Sequence, residues 1–181
     1  MISKNQFSAL TEAVRQIELH VSTGGWDGPV RVFALVNTAE AIRNDPSFAR
    51  EIGADVRKTA EQNPKHLTSI EQEGLPASAD VEELLAQMAW PPSVTGVAIS
   101  MERIVVPPQV EQDLPADPEQ ALQVLMNHPE RQDVRLVAGV LRDGETSCAV
   151  RTRNNDDDDA VGFGPDVAPG LLQALAATLE D

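Results

Sequence analysis

Apolar residues follow a helical period at the start of the chain. Positions three and four residues apart form one stripe, which consists of Phe7, Leu10, Val14, Ile17 and Val21. The spacing predicts a helix that starts near Ser3 and ends at Gly24-Gly25, since glycine ends helices at little cost. The stripe is also heptad-like, so a homodimer seam is one interpretation. Two heptads are too few for a coiled coil, however, and they favour packing in a core.

Three runs rich in β-branched residues predict strands. Residues 30–36, VRVFALV, follow the turn signal Asp27-Gly28-Pro29. Residues 66–74, HLTSIEQEG, are a weaker candidate. The longest run is GVAISMERIVV, residues 96–106, in which two sets of side chains alternate between opposite faces. Pro107-Pro108 closes it, because proline cannot donate to a β-ladder.

The stretch DVRLVAGVLRDGETSCAVRT predicts a β-hairpin around Asp143-Gly144, a pair typical of the type I′ turn. With a two-residue loop, Leu141 pairs with Thr146. In that register Arg151 lies on the sheet face opposite to Val137. A slip of one residue would invert these faces, because side chains alternate with a period of two.

Capping signals predict further helices. Asn37 precedes Glu40 by three residues, and Asp117 precedes Pro118, so both are expected N-caps. Another helix is expected to start near Asp80. The last helix is expected to have Asp166 as its N-cap and to present an apolar stripe of Leu171, Leu172, Leu175 and Leu179.

In chain order, these elements predict a single α+β domain over residues 1–181. We expect a mostly antiparallel, twisted sheet of about five strands with helices packed on it. Residues 38–90 are a candidate helical insertion. Because aromatic residues make up only 3% of the chain, the core is expected to consist of aliphatic side chains.

The formal net charge is −15 and is unevenly distributed. Residues 1–50 are net neutral, whereas 51–100, 101–150 and 151–181 each carry −5. Such a field repels nucleic acid and anionic membranes, so neither is an expected partner. No apolar run reaches the roughly 18 residues that a membrane span needs. Cys148 is the only cysteine, which fits a cytoplasmic protein.

Four consecutive aspartates, Asp156–Asp159, raise the question of a metal site. They fail the frame of a helix–loop–helix calcium loop, because a proline falls where the bidentate glutamate is needed. At most two or three adjacent carboxylates can converge on one ion. Asp156, Asp158 and Asp159 are therefore candidate ligands of a weakly bound divalent cation, and no other cofactor is expected. The other interpretation is a solvated connector that Arg151 or Arg153 partly neutralises.

No other stretch matches a catalytic or cofactor motif. His20, His66 and His128 lack the spacing of zinc ligands. Cys148 lies within the hairpin, where a small buried apolar residue is expected. Nucleophile-elbow, Walker and dinucleotide-binding sequences are absent. The chain is therefore more consistent with a non-enzyme, and no catalytic residue is assigned.

The two tryptophans both lie beside loop signals. Trp26 and Trp90 are candidate anchors for a protein partner, because a loop tryptophan can fill a pocket on another molecule. The alternative is that each one plugs the edge of the core under a loop.

Three stretches resemble a family of actinobacterial proteins with no assigned function: AWPPSVTGVAISMERIVVPP, HPERQDVRLVAGVLRDGETSCAVRTRNNDDDDAV and GPDVAPGLLQALAATL. The resemblance implies a bacterial cytosolic protein. The element order is also similar to the small, acidic, often dimeric secretion-chaperone fold, if the helices at 38–44 and 80–88 are insertions. This second resemblance concerns topology only.

These observations support two hypotheses of different kinds. The first is a non-enzymatic, acidic, cytosolic protein-interaction or chaperone-like module with a protein partner. The alternative is a metal-dependent enzyme or ligand binder with a carboxylate-lined site near Asp156–Asp159. Mimicry of nucleic acid is a third interpretation of the acidity.

Overall fold

A computed structural model of the chain describes residues 8–75 and 81–180. Within these ranges, six strands form one open antiparallel sheet in the order β2-β1-β3-β4-β5-β6. The strands are β1 Arg31–Asn37, β2 Leu67–Glu71, β3 Gly96–Val105, β4 Gln132–Leu141, β5 Thr146–Thr152 and β6 Gly162–Gly164. The predicted α+β class is confirmed. The sequence pattern missed β6 because three residues are too few to display a period.

Eight α-helices accompany the sheet in the described residues. They are α1 Ala9–Ser22, α2 Thr38–Asn44, α3 Phe48–Ile52, α4 Ala54–Gln62, α5 Val81–Ala86, α6 Pro108–Gln112, α7 Pro118–Asn127 and α8 Pro169–Thr178. Two short 3-10 turns, Arg153–Asn155 and Asp158–Ala160, connect β5 to β6. None of the described helices is both long and apolar enough to cross a membrane.

Helix α1 covers one face of the sheet with its predicted apolar stripe. The hydroxyl of Ser8 caps it by accepting from the backbone N–H of Thr11 at 3.1 Å, so the helix begins at Ala9. The predicted start near Ser3, and Phe7, lie outside the described residues. The stripe packs on apolar side chains from five strands and buries Leu10, Val14, Ile17 and Val21 with Phe33, Leu35, Leu67, Ala98, Val137 and Ala149.

Gly139 on β4 lies directly beneath two apolar side chains of α1. A Cβ atom placed there would lie 3.0 Å from Val14 Cγ2 and 3.1 Å from Leu10 Cδ1. A larger residue would therefore have to displace these two side chains, so glycine at this position allows α1 to pack closely on β4.

Helices α5 and α8 cover the other face. The stripe predicted for the last helix is buried against alternate residues of the central strands, in a cluster that includes Val32, Val97, Ile99, Leu136, Ala138, Val140, Leu171, Leu172 and Leu175. The predicted Asp166 cap is wrong. The N-cap position is Ala168, which makes no side-chain capping bond, and Pro169 begins the helix.

The predicted register of the β4–β5 hairpin is also wrong, by one residue. Thr146 pairs with Val140 rather than with Leu141. The loop has three residues, because Leu141 accepts from Gly144 N–H at 3.0 Å and donates to the Glu145 carbonyl at 2.9 Å. Gly144 has φ of 96°, which fits a type I turn followed by a one-residue bulge. The slip inverts β5, so Arg151 faces α1.

Candidate functional site

Two arginines from neighbouring strands meet one glutamate beneath α1. Arg135 on β4 and Arg151 on β5 are register partners, so both side chains leave the same face of the sheet. Glu18 of α1 is 1% exposed and accepts from Arg151, with the shortest distance 2.7 Å from Nη2 to Oε1. Arg135 Nη1 lies 3.7 Å from the other Glu18 oxygen. The two buried cations therefore share one buried anion.

The aspartate run supplies the additional negative charge. Asp156 Oδ1 accepts from Arg151 Nη1 at 2.9 Å, and Asp158 Oδ1 accepts from Nη2 at 2.7 Å. The expectation that Arg151 neutralises part of the run is confirmed. The neighbouring carboxylate of Asp157 accepts from the backbone N–H of Asp159 at 2.9 Å and caps the second 3-10 turn. Two of the four aspartates thus close the buried ion cluster from the solvent side.

These contacts shift the ionisation of the groups involved. The hydrogen bond to Glu18 is the largest cause that raises the pKa of Arg151, and it outweighs the opposing effect of burial. The pKa of Asp156 is lowered, first by the hydrogen bond from the Trp26 indole and then by Arg151. Both shifts favour the charged forms that make the pair.

Trp26 packs over this cluster rather than projecting from it. Its Nε1 donates to Asp156 Oδ2 at 3.0 Å, and the Arg135 guanidinium carbon lies 4.4 Å from the ring centroid. The ring is half-buried. Stacking on a cation and one hydrogen bond account for its position, so the structure gives Trp26 an internal role. Its proposed contact with a partner stays a prediction.

The turn that carries Trp26 is held by a glutamate of the sheet. Glu102 accepts from the backbone N–H groups of Asp27 at 2.9 Å and Gly28 at 2.8 Å. Asp27 has φ of 66°, an uncommon conformation for a residue other than glycine. Its carboxylate accepts two bonds from Arg153, at 2.9 and 3.1 Å, and these bonds lower its pKa. Arg153 therefore binds Asp27 rather than the aspartate run.

The described residues hold no group of three or more histidine, cysteine, aspartate or glutamate side chains placed to bind a metal ion. Of the predicted ligands, Asp156 and Asp158 bind Arg151, and the exposed Asp159 completes no such group with the described residues. A divalent cation would have to compete with a guanidinium for two of these carboxylates. The metal hypothesis stays a prediction.

Trp90 and Cys148 both belong to the core on the α8 side. Trp90 packs against the core cluster, and its Nε1 donates to the Thr178 hydroxyl at 3.0 Å. This position fits a plug at the edge of the core, and a partner contact of Trp90 stays a prediction. Cys148 is fully buried, and burial raises the pKa of its thiol. The expectation of a small buried residue is confirmed.

Helix α7 exposes apolar side chains that the sequence pattern did not single out. Leu122 is 50% exposed and Met126 is 52% exposed, and they lie one turn apart. Ala121 and Leu125 are only partly exposed, which marks the side that faces the body of the protein. Val124 is exposed on the other flank. No residue of α7 is fully buried, so this helix lies on the protein with much of its apolar surface uncovered.

The connection that holds α6 and α7, residues 106–130, carries only acidic charges. It has five acidic residues and no lysine or arginine. All five side chains are exposed, and none forms an ion pair with any other residue in the described ranges. They are Glu111, Asp113, Asp117, Glu119 and Glu130. We call residues 106–130 the acidic connection, and the stripe of Glu119, Leu122 and Met126 the α7 stripe.

Met126 joins the α7 stripe to a shallow cleft of about 250 Å³ at the end of β3 and β4. Ile104 supplies another apolar side chain there. The charged walls are balanced, since three acids face three arginines: Asp27, Glu102, Asp133, Arg103, Arg131 and Arg153. One oxygen of Asp133, Oδ1, is buried without a hydrogen-bond partner among the described residues. The cleft thus connects Met126 to the charged side chains beside the turn that carries Trp26.

One signal in the sequence could have identified the exposed apolar surface of α7. The segment AL-Q-VLM has apolar residues at five of six positions, which is more than one buried face of a helix requires. At least one of these five apolar side chains therefore has to lie on the exposed side of the helix.

The fold and the site define an α+β protein with a six-stranded antiparallel sheet, a buried ion cluster and an exposed amphipathic helix. Its sequence matches a family model described as PPA1309-like protein over residues 10–180, so the chain belongs to that family. The expected membership of a family of uncharacterised function is thereby confirmed. Neither the curated proteins nor the solved structures contain a match.

Proposed function

We propose that this chain is a non-enzymatic, acidic protein-interaction module that holds a protein partner on α7. The observation that carries the proposal is the pair Leu122 and Met126, each about half exposed and one turn apart on α7. Exposed apolar side chains that are contiguous and rimmed by polar residues are typical of interaction surfaces. A chaperone-like role, a cytosolic location and an actinobacterial source belong to the same proposal.

The ion cluster supports a non-catalytic role because its charged groups are buried and bind one another. Glu18, Arg135 and Arg151 bind one another beneath α1, with side chains 1 to 3% exposed. A general acid or base has to reach a proton of the substrate. A set of charges that is buried and mutually paired is better suited to fixing the relative positions of α1, β4 and β5.

The experiment is affinity capture from bacterial cytosol followed by mass spectrometry, with three forms of the full chain. Wild type is compared with Leu122→Ser/Met126→Ser and with the control Ile70→Ser/Val167→Ser. The control removes two apolar side chains of similar exposure, 40% and 50%, from outside α7.

We expect wild type and the control to capture the same protein, and the α7 variant to lose it. Retention of that protein by the α7 variant would show that its binding does not depend on this surface. Loss of the captured protein from both variants would indicate nonspecific association through exposed apolar residues, and would also contradict the proposal.

A further inference from the structure

We infer that the partner presents a cationic amphipathic segment, in which lysine or arginine side chains flank an apolar stripe, to α7 and the acidic connection. This inference rests on the proposed function and adds the chemistry of the partner. It is carried by two independent features of the same segment, namely apolar side chains that are about half exposed and exposed carboxylates that form no ion pair with a described residue. The nearest cation in the sequence, Arg131, donates to the Met126 carbonyl at 2.7 Å and forms no ion pair with these acids.

The geometry of α7 places both features in one line. Glu119, Leu122 and Met126 are spaced i, i+3 and i+7, so they lie along one side of the helix. A partner that buries the leucine and the methionine must therefore approach Glu119. A neutral apolar surface would strip water from that carboxylate without replacing its hydrogen bonds, whereas a lysine or arginine would bind it.

The remaining carboxylates extend this preference beyond the stripe. Glu111, Asp113 and Glu130 are exposed and form no ion pair within residues 8–75 and 81–180. Their fields add along the 25 residues of the acidic connection, because no lysine or arginine interrupts them. A cationic segment gains from each of these charges in both encounter rate and orientation.

The same charges argue against the other occupants of an apolar helix face. A second copy of this chain would bring five further carboxylates against the first five, and like charges across an interface are unfavourable. The net charge of −15 acts in the same direction at longer range. Acidic peptides and nucleic acid are repelled for the same reason.

The cleft beside Met126 would contact the end of the apolar stripe of the partner. Its charges are balanced, so it adds apolar contact at Ile104 and Met126 rather than selectivity for cations. Selectivity comes from the acidic connection. The cleft and the connection therefore make separable contributions, which variants can distinguish.

Fluorescence anisotropy with two labelled 18-residue peptides tests the inference. One peptide arranges leucine and lysine as an amphipathic helix, and the other has glutamate in place of lysine. We expect the leucine/lysine peptide to bind the full chain and the leucine/glutamate peptide not to bind. We expect Leu122→Ser/Met126→Ser to raise the dissociation constant at least tenfold, and added salt to weaken binding because it screens exposed charges.

A matched pair of charge variants separates the acidic connection from the net charge. The first is Glu111→Gln/Asp113→Asn/Glu119→Gln/Glu130→Gln, which retains Asp117 because its carboxylate caps α7. The second is Glu51→Gln/Asp55→Asn/Glu61→Gln/Glu73→Gln, which removes the same number of exposed acids elsewhere. We expect about a tenfold loss of affinity in the first and less than a twofold change in the second.

Four results would overturn the inference. Equal losses in the two charge variants would mean attraction to the net charge alone. Unchanged affinity in Leu122→Ser/Met126→Ser would place the peptide elsewhere. A dimer in light scattering that this variant dissociates would make α7 a contact between copies. If peptide binding fails while cellular capture still depends on α7, then only the partner chemistry is wrong. If peptide binding and cellular capture are both independent of α7, the proposed function is contradicted as well.

Discussion

Around Arg151, the carboxylates of Glu18, Asp156 and Asp158 each bind a guanidinium group. In the acidic connection, five carboxylates face solvent and form no ion pair with any described residue. The first set is organised around a charge buried under α1. The second set lies in the same segment as Leu122 and Met126, whose side chains are about half exposed.

The difference shows that the acidic residues of this chain have at least two separate roles. Acidic side chains that bind internal arginines contribute to folding and are not available to bind a cation of a partner. Apart from Asp117, which caps α7, the acids of the second set do little for stability, because exposed charges interact weakly in water. They remain able to attract a cation from outside. Substitutions in the two regions should therefore move different observables.

Glu18→Gln should have the largest effect on stability. It leaves Arg135 and Arg151 buried without their shared anion, and breaking a buried pair by removing one partner costs about 3–5 kcal/mol. Urea denaturation measures the change. The control is Glu12→Gln on the same helix, where the glutamate pairs with Arg15 at a side chain 35% exposed and the cost should stay below about 1 kcal/mol. Equal losses in the two variants would contradict the structural role of Glu18.

Asp156→Asn/Asp158→Asn should have an intermediate effect. These carboxylates bind Arg151 from the solvent side, with side chains 46% and 67% exposed, so their loss should cost about 1 kcal/mol. Urea denaturation again provides the value. A cost as large as that of Glu18→Gln would show that the aspartates, rather than the glutamate, hold the two arginines.

Acid should release the same contact. The folded-state pKa of Asp156 is lowered, so its stabilising charge is fully present above the usual value of about 3.9 and is lost as pH falls through the lower folded value. In a Trp90→Phe background, the fluorescence of Trp26 should change with a midpoint below about pH 3.9. Asp156→Asn should abolish this transition, with far-UV circular dichroism as the control for unfolding. A transition that persists in Asp156→Asn would assign it to another group.

Calorimetry with calcium, magnesium and manganese should give the smallest effect. Because Arg151 already binds Asp156 and Asp158, we expect wild type and Asp156→Asn/Asp158→Asn to give the same heat. A heat present in wild type and lost in the variant would support the alternative hypothesis of a divalent-cation site, and would mean that the cation displaces the guanidinium.

Much of the fold could be predicted from periodicity, because both faces of the sheet are covered by apolar stripes. The α1 stripe, the caps at Asn37 and Asp117 and the three central strands are found where the pattern indicates. The hairpin register could not be derived, because Asp143-Gly144 is compatible with both a two-residue and a three-residue loop. That single slip decides whether Arg151 meets Glu18.

The site could be predicted only in part, because it depends on contacts between distant segments. Glu18 is one polar residue beside an apolar stripe, and nothing local indicates that two strands bring arginines to it. Four adjacent aspartates suggest a metal site in a sequence, yet two of them form ion pairs with Arg151. The exposure of Leu122 and Met126 depends on how α7 rests on β3, and a helical period does not specify that placement.

Hydrogen exchange of the full chain with and without the leucine/lysine peptide tests the division between the two regions most directly. Slower exchange should be confined to α7 and the acidic connection, because the peptide binds carboxylates that have no internal partner. The amides of residues 151–160 should be unchanged, since their acids already bind Arg151 and its neighbours. Protection at residues 151–160 with none in α7 would contradict the account.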